Sequence, residues 1–299
     1  MAPAHLANDF DRMAPVYDET REGVDPRALE GLCRALSQDG APSLLEVGVG
    51  TGRIALPLQS QGFSVTGLDA SRSMISRARS KGVERLVRGN AYRVPFRASS
   101  FDYALFVHVL TLLGDPGAAL RGAARVSRRG MLVDRPGELS GILGAHPLSA
   151  EGAWTKPMAA PLALLTGHTR LGTEGEDKEQ VRAMTREVIT ELGFSLPPRV
   201  PGPDREKALI ERWPPESRTV LAESAGDESP EERLEWIRKR ADRTLLDVPP
   251  HVLERAIPLV RARLSGKSVR FRRTYSLVRW RADAFSASRE PEGGSVGRR

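Results

Sequence analysis

One segment constrains the fold of this chain more than any other: an apolar run that ends in three alternating glycines. Residues 44–47 are mostly apolar and predict a buried strand, and Gly48, Gly50 and Gly52 follow it. Glycine permits a tight turn, close approach of a ligand to the backbone, and close packing of helix on strand. The apolar residues of 54–58 then predict a helix, so the segment indicates the first strand, loop and helix of a parallel sheet.

Two acidic residues and the glycine spacing narrow the class of ligand. A second predicted strand ends at Asp69, where a carboxylate can accept hydrogen bonds from both ribose hydroxyls of a nucleoside. Dinucleotide-binding loops have the spacing G-x-G-x-x-G, whereas this loop is G-x-G-x-G and follows Glu46. A carboxylate at that position opposes a pyrophosphate and suits a ligand with an ammonium group. The pattern therefore predicts a nucleoside ligand other than a nicotinamide dinucleotide.

Length and composition indicate a globular chain. The 299 residues are 40% hydrophobic, which suits one large domain or a domain with an elaborated cap. We find no apolar span of transmembrane length, and we expect no secretory signal at the N-terminus. Cys33 is the only cysteine, so no disulfide can form within the chain. We expect Cys33 to be a small, buried helix residue and the compartment to be cytoplasmic.

The net charge of +7 raises nucleic acid as a possible partner. Against this hypothesis, the arginines are scattered beside acidic residues and aromatic content is only 5%. The densest basic stretch, 270–281, alternates with apolar residues and predicts a strand with one solvated face. We therefore expect no nucleic-acid partner. Metal-ligand spacings of cysteine, histidine or acidic residues are also absent, so no metal is predicted.

Strands and helices alternate in the first half of the chain, which predicts a doubly wound, mostly parallel α/β sheet. Strands are predicted at 43–47, 63–69, 84–88, 101–107 and 130–134, with helices at 52–61, from Ser71, and after Asp115-Pro116. Beyond Pro136 we predict a glycine- and proline-rich connection at 138–161, a helix at 178–192, two helices within 229–264, and a final strand at 268–280. The predicted organisation is an N-terminal helical cap segment (1–42), a cofactor-binding core (43–135), lid and substrate-selecting insertions with the final strands (136–285), and a disordered tail (286–299).

A specific resemblance appears with the fourth predicted strand. Gly89-Asn-Ala-Tyr-Arg-Val-Pro-Phe96, followed by Ser100-Phe-Asp102, resembles class I S-adenosylmethionine-dependent methyltransferases, in particular the ubiquinone/menaquinone-biosynthesis-type (methyltransferase type 11-like) subgroup. The segment Phe10 to Asp18 is similar to their N-terminal segment, which closes over the cofactor. The resemblance covers about 10–134. It implies a seven-stranded Rossmann-like sheet with a C-terminal helical lid, and S-adenosyl-L-methionine as cofactor. It does not specify the methyl acceptor.

The resemblance also implies roles for individual residues. Glu46 and the glycine loop would hold the methionine portion of the cofactor, and Asp69 would bind the ribose. Position 90 is usually aspartate in this family; Asn90 can still accept a hydrogen bond from the adenine amino group but without charge assistance. The alternative is that Asn90 is simply a turn residue. The implied cofactor site comprises Glu46, Gly48, Val49, Gly50, Gly52, Asp69, Ala70, Met74, Asn90, Ala91 and Val107.

Two residues are candidates for catalysis. Methyl transfer from a sulfonium is an in-line displacement that needs alignment and sometimes a base. His108, at the end of the fourth predicted strand, is a candidate base, with a buried structural histidine as the alternative. Tyr17 is a candidate for cation–π contact with the sulfonium, with ordinary packing as the alternative. Trp154, Met158 and Trp213 could line a substrate pocket or belong to the core.

The sequence thus predicts a methyltransferase that acts on a small-molecule acceptor, as a monomer or homodimer. Two alternatives stay open: an RNA or protein methyltransferase, and a cofactor-binding regulatory protein without catalysis. A nicotinamide-dependent dehydrogenase is disfavoured by the glycine spacing and Glu46.

Overall fold

A seven-stranded sheet organises the part of the chain that the structure describes. In this computed structural model the described residues are 4–21, 24–38, 40, 43–133, 178–196, 210–264, 266 and 268–285. The strand order is β3-β2-β1-β4-β5-β7-β6. The strands are β1 (Ser43–Val47), β2 (Ser64–Asp69), β3 (Arg85–Arg88), β4 (Phe101–Phe106), β5 (Ser127–Val133), β6 (Ser217–Glu228) and β7 (Val269–Arg281). Strands β1 to β5 are parallel, whereas β7 is antiparallel to both β5 and β6. The predicted doubly wound, mostly parallel sheet is confirmed.

Eight helices of six or more residues accompany the sheet in the described residues. They are α1 (Ala4–Met13), α2 (Pro26–Ser37), α3 (Ala55–Ser60), α4 (Arg72–Ser80), α5 (Pro116–Val126), α6 (Lys178–Glu191), α7 (Pro230–Arg238) and α8 (Pro250–Leu264). Local sequence explains several of their starts, because a polar side chain accepts a hydrogen bond from the first turn. Ser71 accepts from the backbone N–H of Met74 at 3.1 Å, and Asp115 accepts from that of Ala118 at 2.9 Å. Ser229 and Glu232 form a reciprocal capping box at α7.

The centre of the sheet places the site. Strands β1 and β4 lie side by side, with Leu44 opposite Tyr103 and Val47 opposite Phe106. These residues are buried, as a parallel sheet covered on both faces requires. The chain turns in opposite directions from these two strands, since β2 lies on one side and β5 on the other. In such sheets ligands bind at the carboxyl ends of the strands beside this switch point.

The C-terminal helices build a second hydrophobic cluster of their own. Val188 and Ile189 of α6 pack with Leu234 of α7 and with Leu253 and Val260 of α8, all of them buried. The apolar faces of α6, α7 and α8 therefore pack mainly against one another and not against the sheet.

Most predicted elements are found, and the differences have physical causes. The predicted N-terminal helical region contains α1 and α2, separated by short 3-10 turns at Ala14–Val16 and Asp18–Thr20. Strand β5 begins at Ser127, three residues before the predicted start, because the chain passes directly from α5 into pairing with Phe101. Strand β6 was not predicted, since its residues show weak apolar alternation and it forms by pairing with β7. The predicted connection at 138–161 and the tail at 286–299 lie outside the described residues, as do Trp154 and Met158.

Candidate active site

One of the three glycines in the loop has open space where a side chain would lie. Gly48, Gly50 and Gly52 have φ values of +79°, +54° and +79°, a region that L side chains rarely adopt. A Cβ on Gly48 would lie 2.7 Å from Val109 Cγ2, and one on Gly52 would lie 2.6 Å from Val83 Cγ2. A Cβ on Gly50 would meet no atom within 4 Å. The outer two glycines therefore serve packing, and Gly50 faces space that a ligand can use.

Asp69, at the end of β2, is held by the loop and by the following helix. Its Oδ2 accepts from the Gly50 N–H at 2.8 Å, and its Oδ1 accepts from the Ser71 N–H at 2.8 Å. Burial raises the pKa of Asp69, and hydrogen bonds from backbone N–H groups only partly offset this rise. Each carboxylate oxygen has a further lone pair, so both can still accept from ribose hydroxyls.

Glu46 on β1 carries an unsatisfied buried oxygen. Its side chain is in the interior, with 2% of the residue exposed, and its register partners are Gly67 on β2 and Leu105 on β4. The Ala55 N–H donates to the carboxyl group, but Oε2 has no hydrogen-bond partner. Burial raises the pKa of Glu46 well above its usual range, and the nearby charge of Asp69 adds to the rise. A buried carboxyl oxygen without a partner is costly, and a cationic ligand group would satisfy it.

The N-terminal segment, Phe10 to Arg21, lies against this loop. Asp18 accepts from Thr51 Oγ1 at 2.6 Å and forms an ion pair with Lys81 at 2.5 Å. The Arg77 guanidinium donates to the Pro15 carbonyl at 2.7 Å, so the segment also contacts α4. Sequence reasoning missed these polar partners, because they join residues far apart in the chain.

Tyr17, the first catalytic candidate, is half-buried in this segment. The Arg21 guanidinium lies 4.8 Å from the centre of the Tyr17 ring, in cation–π geometry. Phe10 packs against the same ring edge-on, with 6.2 Å between ring centres. One face of the ring thus already contacts a cation. Arg21 also donates to the Ala241 carbonyl at 3.2 Å, which joins the segment to the helical bundle.

His108, the second catalytic candidate, lies at the same edge of the sheet as Glu46 and Asp69. It is two residues beyond the end of β4, its backbone has a φ of +53°, and its side chain is exposed. His108 is therefore not buried, contrary to the burial that the structural alternative assumed. Its neighbour Val109 packs on Gly48, which places the 107–109 turn against the glycine loop. Val107 of this turn is half-buried.

The predicted adenine-binding residues follow β2 and β3. Met74 is buried, whereas Ala70, Asn90 and Ala91 are half-buried. Asn90 Oδ1 accepts from the Tyr92 N–H at 2.9 Å, so this side chain closes the turn after β3. The turn interpretation thus describes its conformation, and the oxygen keeps a second lone pair.

Of the other candidates, Trp213 belongs to the hydrophobic core. Trp213 is buried in the core, where its ring lies 5.2 Å from that of Phe285 and its carbonyl accepts from Trp280 Nε1 at 2.7 Å. The core interpretation of Trp213 is therefore the correct one.

In the part of the chain that the structure describes, no three or more histidine, cysteine or acidic residues come together as a metal site would need. No helix in that part is both long enough and apolar enough to span a bilayer.

Comparison with known proteins agrees with this geometry. Residues 45–133, from β1 to the end of β5, match the methyltransferase-domain family. These residues form a class I S-adenosylmethionine-dependent methyltransferase domain. The resemblance to class I S-adenosylmethionine-dependent methyltransferases is confirmed for these residues, and S-adenosyl-L-methionine is the cofactor of this domain.

Relatives of the methyltransferase domain act on different acceptors. The chain is 36% identical to a phosphatidylethanolamine N-methyltransferase from Cereibacter sphaeroides, over 29% of this chain and 46% of the relative. It is 31% identical to a demethylmenaquinone methyltransferase from Tropheryma whipplei, over 42% of this chain and 56% of the relative. A solved S-adenosylmethionine-dependent methyltransferase from Thermotoga maritima is 29% identical, over 43% of this chain and 60% of that one, with a TM-score of 0.35. The chain thus spans about half the length of the curated relatives it matches.

The methyltransferase domain fits its cofactor in three respects. The unpartnered Glu46 oxygen suits the ammonium group of the methionine portion, the open space at Gly50 admits a ligand beside the backbone, and Asp69 suits the ribose. The match ends at residue 133, so the α6–α7–α8 bundle lies outside it.

Proposed function

We propose that this protein transfers a methyl group from S-adenosylmethionine to a small-molecule acceptor by in-line displacement. The observation that carries the proposal is the buried Glu46 carboxyl, whose Oε2 lacks a partner beside an open glycine loop. An ammonium group can pair with that carboxyl group in its ionised form, whereas a pyrophosphate gains no such pairing. This supports S-adenosylmethionine over a nicotinamide dinucleotide.

The residues of the chain would bind and orient the cofactor. Glu46 and the Gly50 backbone would hold the methionine portion, and Asp69 would accept from the ribose hydroxyls. Ala70 and Met74 would flank the adenine, with Asn90 accepting from its amino group. When bound, S-adenosylmethionine supplies an electrophilic methyl group on a sulfonium.

The acceptor would approach from the side on which the N-terminal segment meets the glycine loop. Tyr17 would stabilise positive charge there with its ring, beside the contact that it already makes with Arg21. His108 would take a proton from an acceptor that must lose one, since it lies at the carboxyl end of β4 and is open to solvent. The displacement itself requires chiefly alignment, so we propose His108 as a base only for such acceptors.

A small molecule is favoured over RNA or protein as the acceptor. The two curated relatives named above bear the names of lipid or quinone acceptors, and several of the described surface arginines are paired with acids. Examples of such pairs are Arg34–Glu30, Arg238–Glu235, Arg261–Glu231 and Arg263–Glu191. Nucleic-acid recognition requires a continuous basic face instead. The helical bundle would form the lid that selects the acceptor, with 1–42 as its N-terminal partner.

The test is methyl transfer from tritium-labelled S-adenosylmethionine to three separate pools: cellular metabolites, total RNA and total protein. Label in the metabolite pool, lost with Asp69→Ala, is the expected result. Label in RNA or protein would show that the acceptor is a macromolecule and not a small molecule. If S-adenosylhomocysteine binds but no pool is labelled, the protein is a cofactor-binding regulator instead.

His108→Gln should lower turnover without changing S-adenosylhomocysteine affinity, and equal turnover would remove His108 from the mechanism.

A further inference from the structure

Helix α1 reaches the cofactor site through Asp11. Asp11 Oδ1 accepts from Ser71 Oγ at 2.6 Å and from the Ser73 N–H at 2.8 Å. Both donors belong to the start of α4, where Ser71 is the N-cap residue and also accepts from the Met74 N–H. A single oxygen from the N-terminal segment thus holds the first turn of α4 at two points.

The hydrogen bonds continue from Ser71 to the glycine loop. The Ser71 N–H donates to Asp69 Oδ1 at 2.8 Å, and the Gly50 N–H donates to Asp69 Oδ2 at 2.8 Å. An uninterrupted set of contacts therefore joins Asp11, Ser71, Asp69 and Gly50. The two oxygens of Asp69 are oriented by donors on either side, and one of those donors depends on Asp11 for its own position.

The charge of Asp11 suits this task. Partial burial raises the pKa of Asp11, but hydrogen bonds from Ser71 and Ser73 and the positive charge of Arg88 outweigh it and leave the pKa below its usual value. An ionised carboxylate is a stronger acceptor than a neutral group, and it is favoured at the N-terminus of a helix. The charge itself repels that of Asp69. Any benefit to Asp69 must therefore come from geometry rather than from electrostatic attraction.

We propose that Asp11 is a positioning residue for cofactor binding: it fixes the first turn of α4 so that Ser71 holds Asp69 in the orientation that accepts the ribose hydroxyls. Asp11 does not itself contact the ribose. The inference rests on the proposed function, since it concerns the same cofactor site. It gives the N-terminal segment a defined task in recognition of the nucleoside, beyond covering it.

The experiment compares S-adenosylhomocysteine with its 2′-deoxy analogue by titration calorimetry. The wild-type protein should prefer S-adenosylhomocysteine by roughly 10- to 100-fold, because the analogue leaves a charged acceptor unused. Asp11→Ala should reduce that preference to about threefold and lower affinity for the analogue, which keeps the 3′-hydroxyl, by a smaller factor. Asp11→Asn keeps an acceptor oxygen without the charge, so it should fold and show an intermediate preference.

The matched control is Asp247→Ala. This change removes a different contact of α1, the 2.8 Å ion pair between Arg12 and Asp247, and leaves Ser71 and Ser73 untouched. It should keep the wild-type preference for the ribose hydroxyl. An equal loss of affinity for both ligands in Asp11→Ala would indicate general loosening and overturn the inference.

The outcomes also separate this inference from the proposed function. If the wild-type protein does not bind S-adenosylhomocysteine, the proposed function fails. If it binds with the expected preference and Asp11→Ala retains that preference, only the inference on Asp11 fails. Should Asp11→Ala prove unfolded by circular dichroism, Asp11→Asn decides: an unchanged preference in this folded variant overturns the inference.

Discussion

The Gly50 N–H donates to Asp69 Oδ2 at 2.8 Å and so joins the turn after β1 to the end of β2. This bond makes the loop conformation and the orientation of the acid interdependent. Gly50 has a φ of +54°, which directs its N–H at Asp69 while its open side stays free of protein atoms. Two signals that the sequence offers separately, a glycine and an acid, therefore form one hydrogen-bonded unit.

Replacing Asp69 should remove nucleoside binding. Wild-type protein is expected to bind S-adenosylmethionine and S-adenosylhomocysteine in the micromolar range and NAD not measurably. Asp69→Ala deletes the acceptors of the ribose hydroxyls, which should cost on the order of 2–4 kcal/mol of binding free energy. Calorimetry provides the measurement, with chemical unfolding as the control for stability. Unchanged affinity in a folded variant would remove Asp69 from the site.

A methyl group on Gly50 should block the cofactor with little effect on folding. Gly50→Ala meets no protein atom, so its cost to stability is the strain of a positive φ, about 1–2 kcal/mol. Gly62→Ala is a matched control, because Gly62 has a φ of +89° and equally open surroundings away from the site. Both variants should unfold at similar urea concentrations, but only Gly50→Ala should lose S-adenosylhomocysteine affinity. Equal affinities in the two variants would show that the open space is not the binding space.

The substitution Asn90→Asp should tighten cofactor binding modestly. One carboxylate oxygen would replace Asn90 Oδ1 as acceptor of the Tyr92 N–H, and the other would be available to the adenine amino group with charge assistance. We expect a severalfold lower dissociation constant for S-adenosylhomocysteine, measured by calorimetry. Asn90→Ala should weaken binding and loosen the turn. Weaker binding by Asn90→Asp would mean that position 90 faces a different group.

Glu46 should make the protein less stable as pH rises. The pKa of Glu46 is raised in the folded protein, whereas the unfolded chain ionises near its usual pKa of 4.5. Between these two pKa values the folded state holds a proton that the unfolded state has lost, so the free energy of unfolding falls as pH increases. The contribution is fully present below pH 4.5 and lost through the raised pKa.

Glu46→Gln is the variant that isolates this effect, since glutamine has nearly the shape of the protonated acid. Urea unfolding of both proteins from pH 5 to pH 8 should show a steeper decline in the wild type. Asp69 contributes in the same direction, because its pKa is also raised, but it is present in both proteins and cancels in the difference. Parallel curves would show that Glu46 does not titrate in this range.

Ligand binding should have a measurable effect on the α6–α7–α8 bundle. Arg12 of α1 donates to the Leu246 carbonyl at 2.7 Å, and Lys239 pairs with Glu19 at 3.0 Å. The N-terminal segment that contacts the glycine loop therefore also contacts residues between α7 and α8. Cofactor plus acceptor should slow amide hydrogen exchange in α7 and α8. Arg12→Ala should weaken the response, whereas Arg34→Ala, which breaks an exposed pair on α2, should not. Amide exchange that is unchanged by both ligands would indicate that the bundle is a structural scaffold and not a lid.

Local chemistry explains why much of the fold was predictable. Strand β1 has the predicted bounds, Ser43–Val47, because an apolar run meets a glycine whose positive φ ends it. Ser71, Asp115 and Ser229 begin helices where they were expected, since capping depends on neighbours three residues away. Glu46 and Asp69 could be assigned to one site because parallel strands bring their carboxyl ends to the same edge.

The sequence by itself thus determined the parallel sheet, the glycine loop and the pair of acids, all of which depend on short-range patterns and strand direction. Only the tertiary structure decided that β6 pairs with β7, that His108 is exposed, and that Asp11 supports Ser71 across 60 positions. These features depend on contacts between distant segments. A single sequence carries no local signal for such contacts, because their partners are chosen by packing of the whole chain.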